Sequence, residues 1–590
     1  MRGMIIILFL LMLPAVVLTG QDHNVADAVL NLVGLEDPED IDAYEAERLA
    51  DYLEHPLKIN LEPLSRLVSS GLMSRYQAAA LCDYRSRHGD VLSIGELSAI
   101  DGFGEAFASS LAPFISLYSD NMPGAGSAKE FRMENDLALR GSMKISGTEG
   151  ISAPVWDYGV KYRCMAGDNL SVALAVSKDA FTGTVAYRFR KLPLRLAAGD
   201  FNARFGQGLA LWNGMTMSGI SSPSSFIKSQ SSISESWSFK GSSVLTGLAA
   251  EIDKGKFTIS ALAALPGIKD MKSVRDGISV MPAVNCSWYG RVLHLGLTHY
   301  VRFDGILSEK GAMIPDMKSS CDISMCLRGT DVFAEVAMDW VNARLSALSG
   351  LVFPVGDVMR LGTILRFYPQ GYSSSYSGAV RSGSGCENEY AVTVAGQYMS
   401  QTRRNNGVLS FDAAYFPLSK DKSGLESVQL KGNLSWESKI NDAIVVKARL
   451  SERIRTWGLR FRTDFRTEVK WTAGRFYLGA RANILHCTDL ALLGYMDLGY
   501  AHKGFNNCFR AGLFKVDDWD DRIYVYERDA PGNFNVPAFY GRGTWFSYTA
   551  SWKFARWGRL YFRASMTSYP FMAEKKPGRA ELKLQGVFSF

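Results

Sequence analysis

The chain has 590 residues, 47% of them hydrophobic and 21% charged, with a formal net charge of +6. That length exceeds one ordinary domain, and that apolar content excludes wholesale disorder. The small net charge conceals a division: residues 21–118 carry 6 Lys+Arg against 17 Asp+Glu, a net of −11, whereas the rest without Arg2 carries 58 against 42, or +16.

Residues 1–20 begin with Arg2, continue as an apolar run from Met4 to Leu18 broken by Pro14, and end on Thr19 and Gly20. This is the layout of a secretory signal peptide, with an apolar stretch shorter than the ~20 residues a spanning helix needs. No later stretch reaches the ~18 consecutive apolar residues of a membrane helix, so only a closed β-barrel can cross a bilayer. Residues 21–57 read as an acidic helical segment. Ala26, Val29, Leu30, Leu32 and Val33 form one apolar stripe, and Ala46, Leu49, Ala50 and Leu53 form another after the sequence EDPED.

Residues 58–118 are more specific. Leu97 and Ile100 precede Gly102-Phe103-Gly104, and Ala108 and Leu111 follow; upstream, YRSRHGDVLSIGEL supplies Tyr84, Arg85 and Gly89. Glycines in such a turn reach conformations closed to other residues and let a ligand approach the backbone. The N–H groups that open the following helix can take a phosphate oxygen. This stretch resembles the double helix-hairpin-helix module of competence-type DNA receptors. The resemblance implies a small all-α domain in which Gly102, Phe103 and Gly104, with Gly71 of the first hairpin, hold backbone phosphate. The first hairpin departs from the pattern, with Met73 where a second glycine usually stands and Gln77 in place of a small alanine. Residues 58–118 offer only Lys58, Arg66, Arg75, Arg85 and Arg87 against 6 acids, and nonspecific DNA affinity rests on cations. A periplasmic protein partner is therefore expected as readily as DNA.

After a linker at 119–130, residues 131–590 alternate. In WGLRFRTDFRTEVKW, Phe461, Phe465, Val469 and Trp471 take one parity, and Arg460, Arg462, Arg466 and Lys470 take the other. A strand sends these to opposite faces, the pattern of a membrane strand with lipid outside and a polar lumen inside. The same alternation recurs in AIVVKARLSERIR and RLYFRASMT. Trp457, Trp471, Trp545, Trp552, Trp557 and Tyr569 suit interfacial girdles. The last strand places Leu582, Leu584, Phe588 and Phe590 on one side. That ending resembles the C-terminal signal by which the barrel-assembly machinery of Gram-negative bacteria recognises its clients, which makes that machinery and outer-membrane lipid the expected partners. In GDFNARFGQGLALWNGM, residues 199–215, Gly206 and Gly208 suggest a bulge or close packing against something inside the lumen. This segment resembles one in Gram-negative outer-membrane proteins that join an N-terminal hairpin module to a barrel.

The expected fold is thus a transmembrane antiparallel β-barrel of roughly 20–26 strands, wide enough to need a channel or plug, preceded by the helix-hairpin-helix domain. That domain is expected in the periplasm or within the lumen. No catalytic residue, metal site or cofactor is expected. The 7 histidines form no HExxH pair, no Gly-x-Ser-x-Gly elbow occurs, and His294 and His299 fall on opposite faces of one strand. The 8 cysteines lack zinc spacing, with pairing of Cys321 and Cys326 left open. The expected role is non-enzymatic: a pore, transporter or assembly component. The alternative is a DNA-binding or uptake receptor whose passage is lined by Arg460, Arg462, Arg466 and Lys470.

Overall fold

The computed structural model describes residues 32, 49, 51–53, 55–119 and 133–590, apart from 148–153, 168, 190, 215–221, 229, 238, 240–243, 270–276, 307–312, 374, 403, 422–425, 459–460, 534 and 573–575. The signal peptide, most of the acidic segment at 21–57, nearly all of the linker and Arg460 lie outside the described residues.

Alternating polarity builds the main body. Antiparallel strands, 24 in number, form a closed barrel in which the first, Met133–Gly147, pairs with the last, Gly578–Ser589. Closure matters because an unpaired backbone N–H or C=O in hydrocarbon costs several kcal/mol, and a ring leaves no edge. Parity then decides which side chains face out. On Phe461–Ala473, Phe465 is 42% exposed while its neighbour Arg466 is 7% exposed. The outer surface is a continuous apolar band that includes Leu297, Leu409, Leu434, Leu513 and Leu584. Among the described residues no helix is long and apolar enough to cross a membrane.

The two rims differ. At one, strands are joined by tight turns such as Arg328-Gly329 and Lys503-Gly504, in which both residues have positive φ, the geometry that matches strand twist in a two-residue hairpin. Met133 and Phe590 lie at this rim, tied by reciprocal backbone hydrogen bonds between Asn135 and Phe590. Phe554, Trp557 and Phe588 stack beside them. The opposite rim carries the long connections, chiefly 205–244, 369–388 and 517–540.

Two expectations are corrected, and one question left open is answered. Trp545 is only 1% exposed, because parity on Gly541–Ala555 turns Phe546 outward and sends Trp545 into an interior cluster with Phe514 and Phe539. The lumen wall is not uniformly polar: Tyr300, Phe333, Leu348 and Ile364 face inward and form a core with Phe205, Leu209, Leu211 and Phe226 of the first long connection. Cys321 and Cys326 stand five apart on Met313–Leu327, hence on opposite faces, and the cysteines are free.

Ahead of the barrel, four helices are described: α1 (Leu64–Ser69), α2 (Arg75–His88), α3 (Ile94–Ala99) and α4 (Gly104–Leu111). They close over Leu67, Leu81, Leu97, Phe103, Leu111 and Phe114. Leu57–Lys58 pairs in parallel with Ile115–Ser116, bringing the two ends of this stretch together.

If the outer band meets hydrocarbon, Leu409→Arg should cost about 2–4 kcal/mol. Urea titration into phospholipid vesicles measures this, and a cost no larger than that of Leu409→Ala would remove the basis for a membrane-facing exterior.

Candidate functional site: a lumen closed by the chain itself

The acidic N-terminal part meets the short-turn rim through ion pairs. Asp51 accepts two hydrogen bonds from Arg163, at 2.8 and 3.0 Å, and His55 Nε2 lies 2.9 Å from Asp136. Glu62 pairs with Arg188 at 2.9 Å and Asp101 with Arg291 at 2.8 Å. Deeper in, Arg75 at the start of α2 lies 2.9 Å from His294 Nδ1 and donates to Ser324 Oγ, on the lumen faces of their strands. The barrel's Tyr289 joins the helices' apolar cluster. The opposite charges of the two halves of the sequence are therefore joined in direct contact.

The candidate phosphate turn has the backbone expected of it but not the surroundings. Gly102 and Gly104 have φ of 86° and 64°, and Phe103 is buried between helices. A Cβ on Gly104 would meet nothing within 4 Å, whereas one on Gly102 would strike the Tyr76 ring at 2.9 Å. The Gly102 carbonyl accepts from Gln77 Nε2 at 2.7 Å. Gly71 also has a positive φ, of 69°. Met73, which stands in place of the second glycine of the first turn, is buried in the helical core. Gln77 replaces the small residue because it completes a capping box with Ser74, each side chain bonding the other's backbone N–H.

Of the cations of this stretch, Arg66, Arg75 and Arg85 are turned inward, whereas Arg87 is exposed beside Asp83. Arg85 donates to the carbonyls of Ile59, Asn60 and Glu62. Burial opposes a charge on Arg66, but the carboxylates of Glu235, Glu62 and Glu251 more than offset it and hold the guanidinium above its usual range.

A second closure projects into the lumen. Immediately after Leu194–Arg204 the chain turns inward, and Glu335 on Thr330–Asp339, six strands further round the barrel, accepts N–H groups from Gln207, Leu209 and Ala210 at 2.6, 3.0 and 3.4 Å. Successive N–H groups converging on one carboxylate make an anion nest. A Cβ on Gly206 would fall 2.7 Å from that carboxyl, and one on Gly208 would fall 3.0 Å from the Ala379 nitrogen. Both glycines lie beyond the strand in which they were expected. The connection at 369–388 completes the closure: Tyr372 and Ser377 donate to the Leu209 carbonyl, Trp212 N–H donates to Tyr376, and Gly378 N–H donates to Gly208.

A third segment, 517–540, lies against the basic wall. Arg563 pairs with Glu527 and Glu581, Lys583 lies 2.5 Å from Asp529, and Arg510 bonds both Asp497 and the Tyr526 carbonyl. Of the candidate wall residues, Arg462 donates to the carbonyls of Asp520 and Arg522. Arg466 lies 3.5 Å from Glu468, and Lys470 stands over the Tyr477 ring.

Sequence reasoning did not find Glu335, Arg75, His294 or the acids at 527 and 529. Gly206 and Gly208 were the one signal, since they mark where backbone must come close to something. Among the described residues no group of three metal-ligating side chains occurs.

No family model and no curated protein matches the chain. Among solved structures it is similar to OpdQ of Pseudomonas aeruginosa, at 8% identity over 78% of this chain and 97% of that one, with a TM-score of 0.28. It is also similar to the siderophore receptor PirA from Pseudomonas aeruginosa (8%, 78% and 81%, 0.37) and to the P pilus usher PapC translocation pore (9%, 77% and 99%, 0.39). Likeness at this level says nothing about what this chain carries or binds.

The rim contact titrates. Burial disfavours the His55 cation, yet hydrogen bonds to Asp136 and Asp51 outweigh it and raise the pKa from 6.5 to about 9. A raised value means that the stabilisation is complete below pH 6.5 and is lost as pH climbs through about 9. Hydrogen exchange in α2 should accelerate across that window beyond its intrinsic rate. His55→Gln should abolish the pH dependence and weaken docking near pH 6 by on the order of 3 kcal/mol. Identical profiles for the two proteins would rule His55 out as the titrating group.

Proposed function

We propose that this chain is an outer-membrane pore or transporter held closed at rest, with its helical stretch docked on the periplasmic rim. One observation carries the reading: a barrel of this width has its lumen filled by segments of its own chain, held through hydrogen bonds and ion pairs that can reversibly part. Buried polar contacts of this kind are poor sources of net stability, which suits parts that must move. The signal-peptide-like layout of residues 1–20, the apolar exterior and the aromatic residues Phe588 and Phe590 support the outer membrane as its place and the barrel-assembly machinery as its route there.

Planar-bilayer recording tests this. The native chain should be nearly silent, and Glu335→Ala combined with Arg163→Ala should open long-lived channels by freeing the inward loop and the rim contact. Continued silence from a correctly folded double variant would instead favour a role as an assembly component.

The DNA-receptor reading treats α3 and α4 as the second of two helix-hairpin-helix units. The left-handed Gly102 and Gly104, with open space at Gly104, support it. Against it, Asp101 and Glu105 flank the turn while Arg75 and Arg85 are occupied elsewhere. The full-length protein in detergent should therefore fail to retard duplex DNA at 50 mM salt. Retardation that weakens steeply with added salt and is lost in Gly104→Asp would reverse the ranking.

A further inference from the structure

On three neighbouring strands the lumen wall carries cations directly opposite one another. Register sets Lys431 across from Arg453 and Arg453 across from Arg462. The side chains of opposite parity, Leu434, Ile454 and Phe461, are exposed on the outer surface. The charges of Arg455, Arg462 and Arg522, the last from the 517–540 connection, all bear on Arg453.

Like charges facing each other across a sheet repel, and elsewhere this barrel neutralises them. Arg563 faces Lys583, but Glu527, Asp529 and Glu581 stand between them. Arg366 is satisfied by Glu389 and Asp412, and Lys447 by Glu437. Around Arg453 the acceptors of its arginine neighbours are neutral, while Asp412 stands across from Lys431 and Asp464 lies two residues from Arg462 on the same face. Arg462 donates to the carbonyls of Asp520 and Arg522, Arg455 donates to Gln429 Oε1 at 2.6 Å, and Arg522 donates to the Trp519 carbonyl and the Tyr524 hydroxyl. Half-exposed Asp520 approaches Arg522 to 3.8 Å. Among the described residues Arg453 itself has no ion pair, and its Nε is buried without an acceptor.

Arg455 and Phe461 end and begin their strands at the long-loop rim, so the cluster opens toward that mouth. Trp457 packs under Arg455 at 5.2 Å and Trp519 under Arg522 at 4.8 Å, fixing two of the guanidinium planes.

We propose that Arg453, Arg455, Arg462 and Arg522 form a binding site for a soluble, multiply charged oxyanion of the phosphate or pyrophosphate class. Planar guanidinium groups bind such anions through paired N–H donors, and a single carboxylate would leave most of the charge uncompensated. The lumen face excludes the phosphates of the surrounding lipid. This assignment rests on the reading of the chain as a membrane barrel with a lumen.

The test uses the full chain in zwitterionic detergent, with inorganic pyrophosphate compared against sodium chloride at equal ionic strength. Pyrophosphate should raise the unfolding midpoint by about 2 °C or more over chloride. Arg453→Gln should lose that difference, yet in chloride be at least as stable as the native protein, because a repulsion has been removed and no partner is lost. A purely structural arginine would show the reverse in chloride. The proposal is overturned by equal pyrophosphate shifts in both proteins, by no shift in the native protein, or by a shift produced only by phosphatidylglycerol in the micelle. Heat-modifiable electrophoretic migration and β-type circular dichroism, read on the same samples, report on the barrel separately. Their loss defeats the barrel reading and the site with it, whereas a missing pyrophosphate shift alone leaves the barrel intact.

Discussion

Backbone hydrogen bonding in an apolar surrounding is the constraint from which the rest of this structure follows. Peptide groups facing hydrocarbon have no water to bond, so the sheet must close on itself, which it does where Gly578–Ser589 meets Met133–Gly147. Closing a ring of 24 strands fixes a wide interior. A wide interior has to be either open to water or filled, and here the chain fills it from both ends. Each filling segment meets the wall through polar groups because every second wall residue points inward.

The contacts that fill the lumen differ in physical kind. The helical stretch meets the rim through exposed or half-exposed ion pairs such as Arg291 with Asp101, each worth at most about 1 kcal/mol, together with a buried set around Arg163. The inward turn at Gln207–Ala210 relies on one carboxylate receiving several backbone donors. The 517–540 segment brings acids to arginines already committed to the wall. Salt and pH therefore bear most on the first, and side-chain deletion on the second.

The barrel was legible in the sequence because its rule is local. Parity alone assigns Phe465 outward and Arg466 inward, and turn chemistry at Lys503-Gly504 follows from two residues. Trp545 shows where a cruder rule fails: aromatic character suggested a girdle, whereas parity, available from the same letters, sends it inside. The width of the barrel called for a channel or plug, but the residues that fill the lumen were not legible. Glu335 is one acid among many until the chain some 130 residues earlier folds onto it, and its backbone donors leave no trace in side-chain identity beyond Gly206 and Gly208. The charge division between residues 21–118 and the remainder was visible at once, but it read as two separate environments. It is the complementarity of Asp51, Glu62 and Asp101 with Arg163, Arg188 and Arg291 that gives it meaning.

The contact from Gly206 to Glu335 also bears on the order in which the chain can fold. The turn leaves its strand at Arg204, yet its seat is completed by Thr330–Asp339 and by the Gly378 backbone, both of which come later in the chain. Until they arrive, Phe205, Leu209, Leu211 and Phe226 have no hydrophobic shelter. A newly made chain thus carries a sticky tract in mid-sequence, and the gasket can set only after the staves around it have been drawn together.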